Sequence, residues 1–225
     1  KNIIFNMYIN LKKIIRNYDI QIKGAVHIGA HKGEELFSYY RNDIKNIILI
    51  EANNKLIRNL NIKKFIYNTF LRTNISLENF ASYSLNDQSL DFNIMNNTQS
   101  SSILDLKTHK DLYPLIHVKE KTKVQTKTLD WLFENKYDIR DYNFLNMDIQ
   151  GSELETLKGS VKILKNIDVI YTEINFDELY HKCALAEEMD NFLSNFNFKR
   201  VLTKTPEHHS WGDALYIKMN KINSV

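Results

Sequence analysis

Apolar residues recur along this chain in two alternating patterns, which predict strands and helices in turn. The runs 25–28 and 47–50 are almost continuously apolar, which is typical of strands that are buried on both faces. In the segments between them, apolar residues lie three or four positions apart, as on one face of a helix. Predicted helices cover about 5–18, 34–41, 54–65, 129–136, 152–164 and further segments up to 195, and predicted strands cover 24–28, 46–51, 76–83, 142–147 and 168–173. The alternation predicts an α/β fold with a single doubly wound, mostly parallel sheet.

Two parts of the chain depart from this alternation. Between residues 90 and 127 the pattern is less regular, with a strand predicted at 90–95, a loop at Ser100–Ser102 and an extended ribbon at 117–126. Near the end of the chain, two strand-like segments at 198–203 and 214–219 are joined by a polar loop. They predict a β-hairpin that adds an antiparallel strand to the sheet. We therefore expect an amphipathic N-terminal helix within residues 1–23, followed by one domain over residues 24–220.

Composition narrows the possible partners. The net charge of +3 over 225 residues is small, and the lysines are dispersed, so we expect no nucleic acid partner. Cys183 is the only cysteine, which rules out a disulfide within this chain and favours a reducing compartment such as the cytoplasm. No apolar run approaches 18 residues, so we expect no membrane span.

A glycine-flanked turn follows the first predicted strand. Gly29 and Gly33 would let the backbone approach a ligand closely, or would simply allow tight packing of strand against helix. Glu34 and Glu35 favour the start of the next helix but would repel a pyrophosphate. An acidic rim suits a positively charged sulfonium cofactor better, whereas Lys32 has the opposite charge and keeps a nucleotide ligand open.

Three apolar strands end in an acid, namely Glu51, Asp148 and Glu173. The carboxyl ends of parallel strands meet at one edge of a sheet, where ligands bind in α/β folds. Glu51 stands about 20 residues after the glycine turn, which is the sequence separation of an acid that binds ribose hydroxyls. Such an acid can also cap a helix. Asp148 alternatively organises only its own loop. Paired carboxylates can act as a general base or hold a divalent cation, but no dense metal-ligand spacing favours a metal.

Two further groups of residues are candidates for substrate contact. Gln150 and Glu153 follow Asp148, although Glu153 is equally placed to stabilise the first turn of a helix. His208, His209 and Trp211 lie in the polar loop of the C-terminal hairpin, which we expect to overhang the ligand crevice.

These motifs resemble the FkbM family of S-adenosylmethionine-dependent methyltransferases. The likeness covers roughly residues 24–218. It rests on the turn Ile28–Glu34, on Glu51, on Thr128–Asp130, on the segment Asp148–Gly159 and on Glu173. One departure is His27, which replaces the acid that many class I methyltransferases have two residues before the first glycine. The predicted hairpin also favours a class I methyltransferase over a nicotinamide-binding Rossmann domain, which usually continues with parallel units.

The resemblance implies a class I, Rossmann-like fold that transfers a methyl group from S-adenosylmethionine to an oxygen of a sugar, glycan or related small molecule. The implied cofactor-binding residues are His27, Gly29, Ala30, His31, Gly33, Glu34, Glu51, Ala52, Ser84, Asn86 and Asp148. Asp148 is the first candidate for the base that accepts the hydroxyl proton, with His208 or His209 second. The residues expected to bind the acceptor are Gln150, Glu153, Glu173 and Trp211.

Two other functions stay open on the sequence. An NAD-dependent sugar oxidoreductase would need a third glycine near the turn and a catalytic pair of the Tyr-x-x-x-Lys type, and neither stands out. A cofactor-binding module without catalytic activity is the second alternative, to which His27 lends support.

Overall fold

The computed structural model describes residues 10–205 and 208–222. Its strands are β1 (Gly24–Ile28), β2 (Asn46–Ile50), β3 (Asn74–Glu78), β4 (Ala81–Ser82), β5 (Ser89–Met95), β6 (Val118–Lys127), β7 (Phe144–Met147), β8 (Val169–Asn175), β9 (Phe198–Lys204) and β10 (Trp211–Lys218). Its helices are α1 (Leu11–Asn17), α2 (Leu36–Arg41), α3 (Asn54–Phe70), α4 (His109–Leu112), α5 (Leu129–Asn135), α6 (Glu153–Lys158), α7 (Ala186–Ser194) and α8 (Met219–Ile222).

Seven strands form the main sheet in the order β3-β2-β1-β7-β8-β10-β9. The pairs from β3 to β8 are parallel, whereas β10 runs antiparallel to both β8 and β9. The predicted α/β sheet with a C-terminal antiparallel hairpin is therefore confirmed. The strand order reverses between β1 and β7, and ligands bind at such a switch point.

The core explains why the strands are so apolar. Along β1, Val26 and Ile28 pack into a cluster on one face of the sheet, and Ala25 packs into the cluster on the other face. Helices α5, α6 and α7 cover the first face, and α1, α2 and α3 cover the second. Both faces are covered, so the strand sequence is continuously apolar rather than alternating.

Several predicted boundaries differ from the structure. The predicted strand 76–83 is divided: β3 ends at Glu78, and β4 pairs instead with β6 in a small sheet of order β4-β6-β5. The predicted helix 152–164 stops before Gly159 and is followed by a short 3₁₀ turn at Ile163–Lys165. Part of the predicted N-terminal helix, residues 5–9, lies outside the described residues.

The segment between β5 and β6 runs over the carboxyl end of the main sheet. Leu106 in this segment forms an isolated β-bridge with Tyr180, and both pack in a small apolar cluster with Leu179 and Cys183. The segment therefore forms a wall beside the switch point. Among the helices described, none has the length and hydropathy needed to cross a bilayer.

Candidate functional site

A cavity of about 250 Å³ lies at the carboxyl ends of β1, β2, β7 and β8. Glu51, Asp148 and Glu173 all line it, although they are far apart in sequence. Glu51 and Asp148 directly follow β2 and β7, whereas Glu173 lies within β8, which extends to Asn175 rather than ending at residue 173 as predicted, and these positions bring the three carboxyl groups to one edge. The convergence expected from the sequence is therefore present.

The loop after β1 packs directly against the loop after β7. Gly29 has a φ of +81°, and a Cβ atom built on it would lie 1.9 Å from the carbonyl oxygen of Asp148. The N–H of Asp148 in turn donates to the carbonyl of Ile28 at 3.0 Å. Only glycine combines this backbone conformation with so close a contact.

Glu51 is buried and held by backbone donors. One carboxylate oxygen accepts from the N–H of His31 and the other from the N–H of Asn53, both at 2.7 Å. Burial raises the pKa of Glu51, and these hydrogen bonds partly oppose the rise. The side chain of Asn53 caps α3 by accepting from the N–H of Lys55. Glu51 is therefore not itself the cap of α3, and it lines the cavity together with Ala52.

His31 connects the first loop to the wall segment. Its Nδ1 lies 2.8 Å from Oε1 of Glu34, and its Nε2 lies 2.8 Å from the hydroxyl of Thr98. Burial raises the pKa of Glu34, but hydrogen bonds from His31 and the N–H of Lys32 outweigh it and the net pKa is lowered. Glu34 is thus a carboxylate that fixes a histidine across one side of the cavity.

His27 and Glu35, which both line the cavity, form a neutral pair. The buried His27 ring packs edge-on against Tyr39, and its Nε2 lies 3.8 Å from Oε2 of Glu35. Burial lowers the pKa of His27 to about 4 and raises the pKa of Glu35 to about 8. Near neutral pH the imidazole is therefore uncharged and the Glu35 carboxyl is mostly protonated.

Gln150 joins the two acids on the other side of the cavity. Its Nε2 donates to Asp148 at 2.6 Å and to Glu173 at 2.9 Å, while its Oε1 accepts from the Tyr180 hydroxyl at 2.6 Å. Burial raises the pKa of Asp148, although the Asp148 side chain is open to the cavity. Burial, followed by the charges of Asp148, Glu153 and Asp213, holds the pKa of Glu173 well above its usual range.

Aromatic side chains complete this side of the cavity. The His109 ring lies 4.9 Å from that of Tyr113 and 5.3 Å from that of Tyr180. The indole N–H of Trp211 donates to the Tyr113 hydroxyl at 3.2 Å. Sequence reasoning found Trp211 but missed His109, Tyr113 and Thr98, because the segment that holds them has no periodic pattern.

Several predicted site residues do not line the cavity, namely Ala30, Gly33, Ser84, Asn86, Glu153, His208 and His209. The carboxylate of Glu153 instead accepts from the backbone N–H groups of Ile149 and Gly151, each at 3.0 Å, so it holds the loop that presents Asp148. Burial raises the pKa of Glu153 to about 7. It therefore positions the site rather than contacting a ligand in the cavity.

The other residues in that group also have structural contacts. Ser84 donates to Glu155 at 2.5 Å, and Asn86 accepts from the N–H of Thr128 at 2.8 Å. The His208 and His209 rings lie 4.0 Å apart and pack on each other. Gly33 packs against Leu36 and Leu60, where a Cβ would come within 3.0 Å of Leu36.

The cavity is strongly acidic. Its described lining contains neither Lys nor Arg and includes the acids Glu34, Glu51, Asp148, Glu173 and Asp213, together with the mostly protonated Glu35. The Ser82 hydroxyl also lies at the lining, buried and without a hydrogen-bond partner among the described residues. Such a lining suits a ligand with a positive charge and hydroxyl groups, and it is unsuited to a pyrophosphate. Within residues 10–205 and 208–222, no three His, Cys, Asp or Glu side chains are grouped to hold a metal ion.

Comparison with known proteins agrees with this fold. The family model described as the methyltransferase FkbM domain matches residues 27–200. No curated protein matches the chain significantly. The crystal structure of methyltransferase FkbM from Methylobacillus flagellatus has a TM-score of 0.57 and 16% identity, and the match covers 86% of this chain. This chain spans only 43% of the length of that protein.

Two further structures share the fold. A candidate tRNA methyltransferase from Streptococcus pneumoniae has a TM-score of 0.52 and 10% identity, over 94% of this chain and 71% of its own. A magnesium protoporphyrin IX methyltransferase from Synechocystis with bound S-adenosylmethionine has a TM-score of 0.50 and 7% identity. That match covers 92% of this chain and 77% of the other protein. At these identities the likeness shows a shared class I methyltransferase fold.

Proposed function

Because the chain belongs to the FkbM family of methyltransferases, we propose that it transfers a methyl group from S-adenosylmethionine to a hydroxyl of a sugar, glycan or related small molecule. The observation that carries this proposal is the single acidic cavity that Glu51 and Asp148 share. Glu51 belongs to the cofactor half of that cavity and Asp148 to the reacting half.

The cofactor half is formed by the ends of β1 and β2. The Glu51 carboxylate, already fixed by two backbone donors, would accept hydrogen bonds from the ribose hydroxyls. When bound, S-adenosylmethionine supplies a methyl group on a positively charged sulfonium. The acidic lining favours that charge, whereas NAD would bring two phosphates to an edge whose described lining has no Lys or Arg. This contrast makes the NAD-dependent oxidoreductase the weaker alternative.

Asp148 is our candidate for the general base. It is open to the cavity, and burial raises its pKa, which makes its carboxylate a stronger base than an ordinary aspartate. Gln150 fixes the carboxylate by donating to Asp148 at 2.6 Å. Alignment of an acceptor hydroxyl between this carboxylate and the reacting methyl group would supply much of the rate acceleration.

The acceptor half lies beside β7, β8 and β10. Trp211 offers a ring on which a sugar can stack, and Glu173 offers a hydrogen-bonding group for hydroxyls. Tyr113 and Tyr180 extend this wall. These side chains suit a small polyhydroxylated acceptor. The buried Cys183 favours a reducing compartment, and the cytoplasm remains our prediction.

Transfer of a labelled methyl group tests the proposal. The chain is incubated with S-adenosylmethionine carrying a labelled methyl group and with a panel of sugars, and products are identified by mass spectrometry. We expect label in an acceptor and formation of S-adenosylhomocysteine. Cofactor binding without transfer to any acceptor would favour the inactive binding module, and reduction of NAD by a sugar would favour the oxidoreductase.

A further inference from the structure

We propose that the outer face of α3 binds the surface of an anionic lipid bilayer, which would make this chain a peripheral membrane protein. The proposal is independent of the proposed function, because no residue of α3 belongs to the described cavity lining. It depends on the apolar side chains that α3 exposes and on the positive charges around them.

Helix α3 is apolar on two faces. Leu56 and Leu60 are buried in the core cluster beneath the helix and form the side that faces the sheet. On the outer side, Ile62, Phe65 and Ile66 lie three or four positions apart and therefore form one stripe. Ile62 is 52% exposed and Phe65 is 63% exposed. A helix that covers a sheet normally has a polar outer face, so the core of this domain does not explain the stripe.

The exposed apolar surface extends beyond this stripe. Phe70 at the end of α3 is 71% exposed, and Phe37 is exposed on α2, which covers the same face of the sheet. The exposed large apolar side chains of α2 and α3 are Phe37, Tyr40, Ile62, Phe65, Ile66 and Phe70. A concentration of this kind marks a surface that contacts another protein or a membrane.

The composition of α3 favours a membrane. The helix contains no acid and has four basic residues, namely Lys55, Arg58, Lys63 and Lys64. Arg58 lies one turn before Ile62, so its charge stands at one end of the apolar stripe. Helices that lie on membranes combine the same two features, because apolar side chains enter the boundary below the headgroups while Lys and Arg meet anionic lipids.

Positive charge is concentrated in the part of the chain that forms this side of the molecule. Residues 1–72 contain 13 Lys and Arg and 5 Asp and Glu, whereas residues 73–225 contain 17 and 22. Three of the five acids, Glu34, Glu35 and Glu51, line the cavity. The side formed by α1, α2 and α3 is therefore positive, although the whole chain carries only +3.

Several cations of this side have no acidic partner. Within the described part of the chain, no ion pair is formed by Lys12, Lys13, Arg16, Arg58 or Lys64. On the small sheet, in contrast, Lys121, Lys123 and Lys127 each pair with an aspartate. Anionic headgroups would supply the negative charge that the α1–α3 side lacks, and each cation near such a surface strengthens binding.

Other occupants suit this face less well. Surfaces that bind nucleic acid are polar and strongly charged, whereas the centre of this face consists of Ile62, Phe65 and Ile66. A second copy that docked through the same face would bring like charges such as the two Arg58 side chains together. A bilayer accepts both the apolar stripe and the cations.

Sedimentation with lipid vesicles tests the proposal. The full chain is mixed with vesicles of phosphatidylcholine alone, or of phosphatidylcholine with about 30% phosphatidylserine, and bound protein is measured after centrifugation. We expect at least tenfold tighter binding to the vesicles that contain phosphatidylserine. Raising the salt from about 0.1 M to about 0.5 M NaCl should weaken this binding several-fold, because salt screens the charges.

Two pairs of variants locate the contact. Phe65→Gln should weaken binding to phosphatidylserine vesicles at least about fivefold, whereas Leu85→Gln, at a similarly exposed position of the loop after β4, should change it little. Arg58→Gln should also weaken binding several-fold, whereas Lys119→Gln, on β6, should not. All four side chains are exposed, so the urea unfolding midpoints should stay close to that of the unaltered protein.

Several outcomes would overturn the proposal. One is equal binding, or no binding, to the two kinds of vesicle, and another is binding that Phe65→Gln and Arg58→Gln leave unchanged. Self-association that Phe65→Gln abolishes, without vesicle binding, would assign the face to a second copy of the chain. Salt-sensitive binding of a single-stranded RNA that Arg58→Gln weakens, again without vesicle binding, would assign it to a nucleic acid.

Discussion

Gly29 and Asp148 are in direct backbone contact across the switch point of the sheet. A Cβ atom on Gly29 would lie 1.9 Å from the carbonyl oxygen of Asp148. The loop after β1 also holds Glu51, through the N–H of His31. The group proposed to bind ribose and the group proposed to accept a proton are therefore placed relative to each other by one glycine.

Replacement of this glycine should damage both folding and ligand binding. Gly29 has a φ of +81°, which L-residues other than glycine rarely adopt, and Gly29→Ala adds a severe overlap with Asp148. We expect the free energy of unfolding to fall by more than about 1 kcal/mol in urea denaturation, and S-adenosylhomocysteine affinity to fall as well. An unchanged unfolding midpoint with unchanged affinity would show that the two loops are not coupled in this way.

Asp148→Asn should reduce turnover far more than cofactor binding. The amide keeps the shape of the side chain but cannot accept the hydroxyl proton, so we expect kcat to fall roughly 10²- to 10⁴-fold. In the unaltered protein, kcat should rise with pH through the raised pKa of Asp148, because only the carboxylate acts as a base. Steady-state kinetics across pH 4–9 would measure both effects.

The matched control for this experiment is Asp91→Asn, which alters an exposed acid of β5 that pairs with Lys123. It should leave kcat and its pH profile unchanged. Retention of full activity by Asp148→Asn would remove Asp148 from the role of base.

Stability should depend on pH through Glu35. Its pKa is about 8 in the folded protein and 4.5 ordinarily, so the folded state binds a proton more tightly than the unfolded state. The stability that this proton contributes is present below pH 4.5 and is lost as pH rises towards 8. Unfolding free energies of the unaltered protein and Glu35→Gln are compared at pH 5, 6.5 and 8. The unfolding free energy of the unaltered protein minus that of Glu35→Gln should fall as pH rises, by at most about 1.4 kcal/mol per pH unit. A difference that is constant or grows would show that Glu35 is ionised in the folded protein.

Thr98→Val tests whether the wall segment helps to retain the cofactor. The change removes the 2.8 Å hydrogen bond to His31 while keeping the side chain nearly the same size. A net hydrogen bond contributes about 0.5–1.5 kcal/mol, so S-adenosylhomocysteine should bind roughly two- to thirteen-fold more weakly. Thr108→Val, which removes a contact with the carbonyl of Glu178 outside the cavity, is the control. If the two variants bind S-adenosylhomocysteine with equal affinity, the hydrogen bond between Thr98 and His31 does not contribute to cofactor binding.

The sequence predicted the main sheet because its central strands are short apolar runs, and an acid stands near the carboxyl end of β2, β7 and β8. Parallel strands bring such ends together, and Glu51, Asp148 and Glu173 do line one cavity. Local patterns did not reveal what each acid contacts. Asp148 and Glu153 are only five residues apart, but the first is open to the cavity and the second accepts from backbone N–H groups.

Residues of the irregular segments could not be placed from sequence. Thr98, His109 and Tyr113 reach the cavity because the chain between β5 and β6 packs against Leu179 and Tyr180, a contact between distant positions. Ser84 and Asn86, which were predicted to contact the cofactor, lie outside the cavity lining and instead have hydrogen-bond partners, Glu155 and Thr128, from distant parts of the chain.

The most direct test of the account is calorimetric binding of S-adenosylhomocysteine and NAD to the unaltered protein, Glu51→Gln and Glu78→Gln. Glu78 ends β3, next to Glu51, but does not line the cavity. Loss of a hydrogen bond to a charged group weakens binding by about 1.5–3 kcal/mol, which is at least tenfold. We predict that the unaltered protein binds S-adenosylhomocysteine but not NAD. The affinity for S-adenosylhomocysteine should fall at least tenfold in Glu51→Gln and stay unchanged in Glu78→Gln. Equal affinity of S-adenosylhomocysteine for all three proteins, or preferential binding of NAD, would contradict the account.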